Sequence, residues 1–203
     1  MRSTPFVLFA ALLLAAPATA QDAPEIGRPA PTFELPDVTG AVHALEDYRG
    51  EWVVLEWLNY DCPYVKKHYS SGNIPSQQEK WTDRGVNWLA IVSSAPGKQG
   101  YFPADEMAAR SEAENSHATA GLLDPEGDVG RAYDARTTPH MFVIDPDGIV
   151  RYMGGIDDVP TARVSDLDRA TQLVDQALTE LMAGQEVSVP TSRPYGCSVK
   201  YEG

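Results

Sequence analysis

The run Val53-Val54-Leu55-Glu56-Trp57-Leu58-Asn59-Tyr60-Asp61-Cys62-Pro63-Tyr64-Val65-Lys66-Lys67-His68 decides how this chain folds. Its first six residues, Glu56 apart, are β-branched, aliphatic or aromatic, which suits a strand buried on both faces. The apolar run then stops, and Pro63, which lacks a backbone N–H but fits the first helical turn, marks a helix start. Cys62 becomes the N-cap, its sulfur facing the unpaired N–H groups of that turn. Lowering a thiol pKa from about 8.5 toward 7 raises the ionised share at neutral pH from roughly 3% to about half. Position alone therefore makes Cys62 a candidate nucleophile.

Upstream of this junction, Phe33-Glu34-Leu35 and Ala41-Val42-His43 flank the turn signal Asp37-Val38-Thr39-Gly40, which predicts a small hairpin. Downstream, the helix from Pro63 is interrupted at Gly72-Asn73, and Ile74 to Asp83 reads as a second helical piece ending at Gly85. Val86 to Val92 is the next buried strand, and Pro103 to Asn115 is charged and Ala-rich enough for a helix. Leu122-Leu123 is a brief apolar piece, followed by a short helix to Tyr133. His140 to Asp145 and Ile149 to Met153 flank Asp145-Pro146-Asp147-Gly148, an antiparallel hairpin. Val164 to Met182 carries Leu167, Ala170, Leu173, Val174, Ala177, Leu178 and Leu181 at helical spacing and predicts one long helix on the sheet. Strand, helix, strand, helix, hairpin and helix in that order predict an α/β fold with a central mixed β-sheet flanked by helices.

The first residues carry Arg2, the apolar stretch Phe6 to Ala16, Pro17 and the small-residue signature Ala18-Thr19-Ala20. Residues 1–20 read as a cleaved signal peptide, which implies a secreted, periplasmic protein. The apolar run is short of the ~20 residues of a spanning helix, so no membrane insertion is expected after cleavage. Residues 21–185 form one domain, and 186–203 a tail that carries Cys197. The formal net charge of −13 becomes one unit more negative when Arg2 leaves with the leader. Such a balance opposes nucleic acid and anionic lipid as partners. No phosphate-binding glycine loop or Ser-His-Asp arrangement is evident, and no cofactor is implied.

These residues carry a resemblance. Gly27-Arg28-Pro29-Ala30-Pro31-Thr32-Phe33-Glu34-Leu35, the Asp47-Tyr48-Arg49-Gly50 turn, the strand-to-Cys62 junction, Thr138-Pro139 and the Asp145-Pro146-Asp147-Gly148 hairpin together resemble the redoxin family. This is the alkyl hydroperoxide reductase and thiol-specific antioxidant branch of the thioredoxin-like superfamily, and the match runs from about residue 27 to 158. The resemblance implies a thioredoxin-like fold, Cys62 as the attacking cysteine, and Thr138-Pro139 as a cis-proline turn beside it. Without it Pro139 would read as a trans proline opening a strand. Pro63, Thr138, Pro139 and His140 are the substrate-binding candidates; His140 alternatively makes a plain hydrogen bond near the thiol.

Two positions depart from the family pattern. Val65 stands where Cys-x-x-Cys would place a second sulfur, so no disulfide can close within the motif. Leu55 and Asn59 occupy the positions of the proline and hydroxyl residue that precede a peroxidatic cysteine, which ranks peroxide reduction behind thiol-disulfide exchange; Asn59 retains a hydrogen-bond donor. Glu56 matches the buried acid of thioredoxins, an acid/base partner with a raised pKa, unless it faces water at a sheet edge. Lys66, Lys67 and His68 follow the thiol and favour its ionisation while Asp61 opposes it; Lys67 reads as a solvated helix charge.

Cys197 lies 135 positions from Cys62, in Pro190 to Tyr201, whose prolines and aromatics predict a segment docked on the domain. Three roles are open to it: resolving an oxidised Cys62, clamping the fold in a static disulfide worth about 5 kcal/mol, or remaining free. The expected partners are a protein or small-molecule thiol, disulfide or hydroperoxide substrate and an external thiol reductant. A noncatalytic or copper-binding use of the fold, with His68 and His140 near Cys62, is the alternative from another class; the ligands lack compact metal spacing. His43 and His117 read as surface residues.

Overall fold

The computed structural model describes residues 23–202, so the leader expected over residues 1–20 lies outside it. In chain order the elements are β1 (Glu34–Pro36), β2 (Val42–Ala44), β3 (Trp52–Trp57), α1 (Pro63–Ser70), α2 (Asn73–Thr82), β4 (Val86–Val92), α3 (Ala104–Ala113), β5 (Ala120–Leu123), α4 (Asp128–Ala132), β6 (Thr137–Thr138), β7 (His140–Ile144), β8 (Val150–Gly154), α5 (Leu173–Met182) and β9 (Cys197–Ser198). The main sheet runs β5-β4-β3-β7-β8. β3 pairs parallel with β4 and antiparallel with β7, so the sheet is mixed and the expected α/β architecture is found.

β3 lies at its centre, which is why its sequence is apolar on both faces. Val54 and Leu58 pack on one face with Val65 of α1, Trp81 of α2 and Leu178 of α5. Val53, Leu55 and Trp57 face the other way, toward Phe33, Leu35, Tyr133 and Phe142. Period-two alternation places Glu56 on the same face as Val54, Leu58 and α1. The β7-β8 hairpin turns where predicted because Asp145 accepts from the backbone N–H groups of Asp147 (3.0 Å) and Ile149 (2.8 Å), closing the turn with its own carboxylate.

The long helix predicted over Val164 to Met182 is corrected. Val164–Arg169 forms a 3-10 turn, and the α-helix starts only at Leu173. The Ile156–Asp158 segment captures the intervening N–H groups: Thr171 N donates to Asp158 Oδ1 at 2.8 Å and Leu173 N to Ile156 O at 3.0 Å. Leu167 and Ala170 therefore continue the α-helical spacing but lie outside the α-helix, Leu167 within the 3-10 turn and Ala170 at its end. No helix among the described residues is long and apolar enough to cross a membrane.

Candidate active site

The β3–α1 junction places Cys62 as N-cap of α1 in extended conformation, with Pro63 at the first helical position and Lys66 N bonded to Cys62 O at 2.9 Å. Asn59 shapes the approach: Cys62 N donates to Asn59 O (3.0 Å), and Asp61 N donates to Asn59 Oδ1 (2.9 Å). The side-chain oxygen of Asn59 thus holds this turn, and the hydrogen-bond donor expected of Asn59 is its amide nitrogen. The Asp61 charge, expected to oppose ionisation of Cys62, is paired with Arg110 at 3.1 Å.

Opposite the thiol stands the Thr138–Pro139 peptide, which is cis, and Cys62 Sγ donates to Thr138 O at 3.2 Å. Against the same sulfur lies the tail. β9 pairs with β6 in the register Thr138↔Cys197, and Cys197 N donates to Cys62 Sγ at 3.4 Å. Both cysteines are free; Cys62 is 0% exposed and Cys197 is half-buried over it. Burial acts to raise the Cys62 pKa, but donation from the Cys197 thiol and from the Val65 and Cys197 N–H groups outweighs it and holds Cys62 below an ordinary thiol. Cys197 is pushed up to about 12 by burial, then by its hydrogen bond to Cys62 and the charge there.

The tail reaches this position through contacts along its length. Ser192 N bonds Met153 O at 3.1 Å, and Ala95 N bonds Lys200 O at 2.8 Å. Gly196 makes the close approach possible: its φ is +141°, and a Cβ there would lie 2.0 Å from Thr138 O. Tyr201 lies against Gly130, where a Cβ would meet its hydroxyl at 2.4 Å, and donates to Ala135 O at 2.6 Å.

Glu56 is fully buried on the central strand, which excludes the water-facing alternative. Trp88 Nε1 (2.7 Å) and Gln78 Nε2 (3.1 Å) donate to Oε2, and the Tyr69 hydroxyl (3.0 Å) donates to Oε1. Burial raises its pKa from 4.5 to about 7 despite these donors. The folded protein thus keeps Glu56 protonated where the unfolded chain has ionised it. Its stabilising contribution is full below pH 4.5 and is lost as pH rises through 7, a change of about 3 kcal/mol. Urea unfolding of wild type and Glu56→Gln at pH 4.5 and pH 8 should therefore show the variant gaining about 3 kcal/mol on wild type as pH rises; a constant gap would mean that Glu56 ionises normally.

Lys67 is a correction to the sequence reading. It is not a solvated charge: Nζ lies 2.9 Å from Asp157 Oδ2, and both side chains are 0% exposed. Nζ also donates to Val159 O (3.1 Å) and lies 3.4 Å from the Tyr195 hydroxyl. No local pattern announces this pair, because Asp157 lies 90 positions away. Lys66 is exposed. His68 is buried, with Nε2 on the Tyr195 hydroxyl (3.2 Å) and Nδ1 on Asn73 (2.8 Å), and burial lowers its pKa to about 4. His140 opens β7 opposite Trp57 and packs on Phe142. Its Nδ1 is buried and bonds to none of the described residues. It lines a cavity of about 180 Å³ with Tyr133, Met153 and Pro194. Burial lowers its pKa to about 4. His43 and His117 are half-buried. Among the described residues no three His, Cys, Asp or Glu side chains are grouped to hold a metal ion.

A model of the AhpC/TSA family matches residues 26–153. The thiol-disulfide oxidoreductase ResA of Geobacillus kaustophilus is 28% identical over 141 residues, covering 66% of this chain and 71% of that protein. Peroxiredoxin TSA1-B of Candida albicans is 29% identical over 156 residues, covering 70% and 74%. A crystal structure of an uncharacterized conserved protein from Geobacillus kaustophilus superposes with a TM-score of 0.75 at 26% identity, covering 93% of this chain and 98% of that one.

Proposed function

This chain belongs to the AhpC/TSA family of thiol-dependent oxidoreductases, and we propose that within it the protein is an exported thiol-disulfide oxidoreductase with Cys62 as nucleophile and Cys197 as resolving cysteine. The observation that carries the reading is the placement of a second free cysteine over the helix-capping one, beside the cis Thr138–Pro139 peptide. The leader read at residues 1–20 suits an extracytosolic, periplasmic setting, where disulfides persist.

The exchange proceeds in two displacements. Substrate reaches Cys62 when β9, a strand of two residues, lifts from Thr137 and Thr138. The Cys62 thiolate attacks one sulfur of a disulfide, forming a mixed disulfide and expelling the other sulfur as a thiolate that takes a proton from water. With the Cys62 charge consumed, two of the influences that hold Cys197 protonated lapse and only burial remains. Cys197 then gives up its proton to solvent and attacks Cys62 Sγ, closing the internal disulfide and releasing the second substrate sulfur. The substrate gains two electrons, and an external thiol reductant returns them to the protein. Buried Glu56, protonated up to about pH 7, keeps the Cys62 side of the sheet free of a second negative charge below that pH.

A disulfide suits the site better than a hydroperoxide, since no hydroxyl residue stands at position 59 and no proline at position 55. Reduced wild type and Cys197→Ser, each given a model disulfide such as hydroxyethyl disulfide and separately hydrogen peroxide, test the proposal by turnover and intact mass. Faster consumption of the disulfide is expected, with a Cys62-bound adduct accumulating only in Cys197→Ser. Faster peroxide consumption would reverse the substrate order, and equal turnover by both proteins without an adduct would remove Cys197 from the cycle.

A further inference from the structure

We propose that Tyr195 is a positioning residue, a latch that fastens the tail to α1 and so returns Cys197 to Cys62 after each displacement; the inference rests on the exchange proposed above. The latch and the nucleophile share one rigid element. α1 is capped by Cys62 and, within two turns, presents Tyr64, Lys67 and His68 to the tail. Tyr195 is 9% exposed. Its hydroxyl donates to Asp157 Oδ1, and His68 Nε2 and Lys67 Nζ lie within hydrogen-bonding distance of it. Its ring lies edge-on to Tyr64 at 5.8 Å and carries Lys67 Nζ 5.5 Å from its centre.

One residue separates the latch from the resolving sulfur, and that residue, Gly196, packs directly on Thr138 O. With Tyr195 held by α1 through the buried Lys67–Asp157 pair, Cys197 has almost no freedom relative to Cys62. Such restraint is an effective concentration: a thiol on a loose tail meets its partner at the mM level, and one held in register meets it far more often. The arrangement also sets a competition. Because the docked tail leaves Cys62 unexposed, the latch that speeds resolution also limits entry of the substrate.

The test uses the full chain and glutathione. In glutathione redox buffers, the ratio of internal disulfide to Cys62–glutathione adduct gives the effective concentration of Cys197. Tyr195→Phe, which keeps the ring and loses only the hydroxyl bond to a charged partner, is expected to lower it about tenfold, and Tyr195→Ala further. In a Cys197→Ser background, Tyr195→Phe should also speed iodoacetamide labelling of Cys62 several-fold. Tyr133→Phe is the control for general destabilisation, because Tyr133 donates to Pro31 O at 2.7 Å elsewhere in the core; it should leave both readings at wild-type values. An effective concentration in Tyr195→Phe equal to that in Tyr133→Phe would overturn the latch. A wild type that forms no Cys62–Cys197 disulfide would instead overturn the exchange beneath it.

Discussion

Replacing Cys62 by Ser is expected to lower disulfide turnover by at least about a thousandfold while leaving the fold intact. The substitution is nearly isosteric, and the serine hydroxyl can still donate to Thr138 O as the thiol does. What it cannot do is ionise at neutral pH. The groups that lower the Cys62 pKa, from the Cys197 thiol to the Val65 and Cys197 N–H groups, have no comparable effect on an alcohol so far from its ionising range. Cys197→Ala supplies the companion measurement: it removes the thiol donor and should move the midpoint of Cys62 alkylation against pH upward, whereas Cys197→Ser, which retains a donor, should move it less. Residual turnover in Cys62→Ser within tenfold of wild type would place the chemistry on another residue.

Lys67→Ala should cost about 3–5 kcal/mol of unfolding free energy at pH 8, the second large effect. The cost is not the value of the ion pair itself, because desolvating two charges offsets much of their attraction. It arises because the carboxylate of Asp157 would stay behind, fully buried, with only the Tyr195 hydroxyl and the Val159 N–H as donors. The pH dependence identifies the cause. His68 Nε2 lies 3.7 Å from Asp157 Oδ2, and the neighbouring Lys67 charge is one of the influences that hold its pKa low. In wild type the unfolded chain takes up a proton at His68 near pH 6.5 and the folded protein only near 4, so stability from this residue is present above 6.5 and lost as pH falls toward 4. Without Lys67 the imidazole can protonate and pair with Asp157, so the deficit of the variant should shrink between pH 8 and pH 5.5. Urea unfolding at both pH values measures it; a deficit under about 1 kcal/mol would mean that Asp157 tolerates its solitude.

The residues that were legible in sequence are those whose meaning is local. The β3–Cys62–Pro63 junction, the Asp145 turn and the central strands each rest on neighbours within a few positions, where propensity and turn chemistry act. The Thr138–Pro139 turn was legible only through the family resemblance. What escaped depends on distant segments. Lys67 looks like any helix lysine until the loop after β8 brings Asp157 beneath it, and Leu167 and Ala170 keep helical spacing although Asp158 and Ile156 take the N–H groups a helix would need. In the sequence Tyr195 is one aromatic among several in a docked tail. The close pairing of aromatic, glycine and cysteine at 195–197 was its signal, since a glycine beside a cysteine marks a backbone that must come close to something.

The family match ends at residue 153, yet Cys197, which lies against the Cys62 sulfur, and Asp157, Tyr195 and Tyr201, which hold its surroundings and the tail, all lie beyond it. An expression clone trimmed to the matched region would lose the second cysteine and leave Lys67 without its counter-ion. A purification handle fused after Gly203 would begin two residues past the Tyr201 ring seated against Gly130, whereas one placed ahead of Ala23 would leave that seat undisturbed. For this chain the end farthest from Cys62 in sequence is folded directly against it.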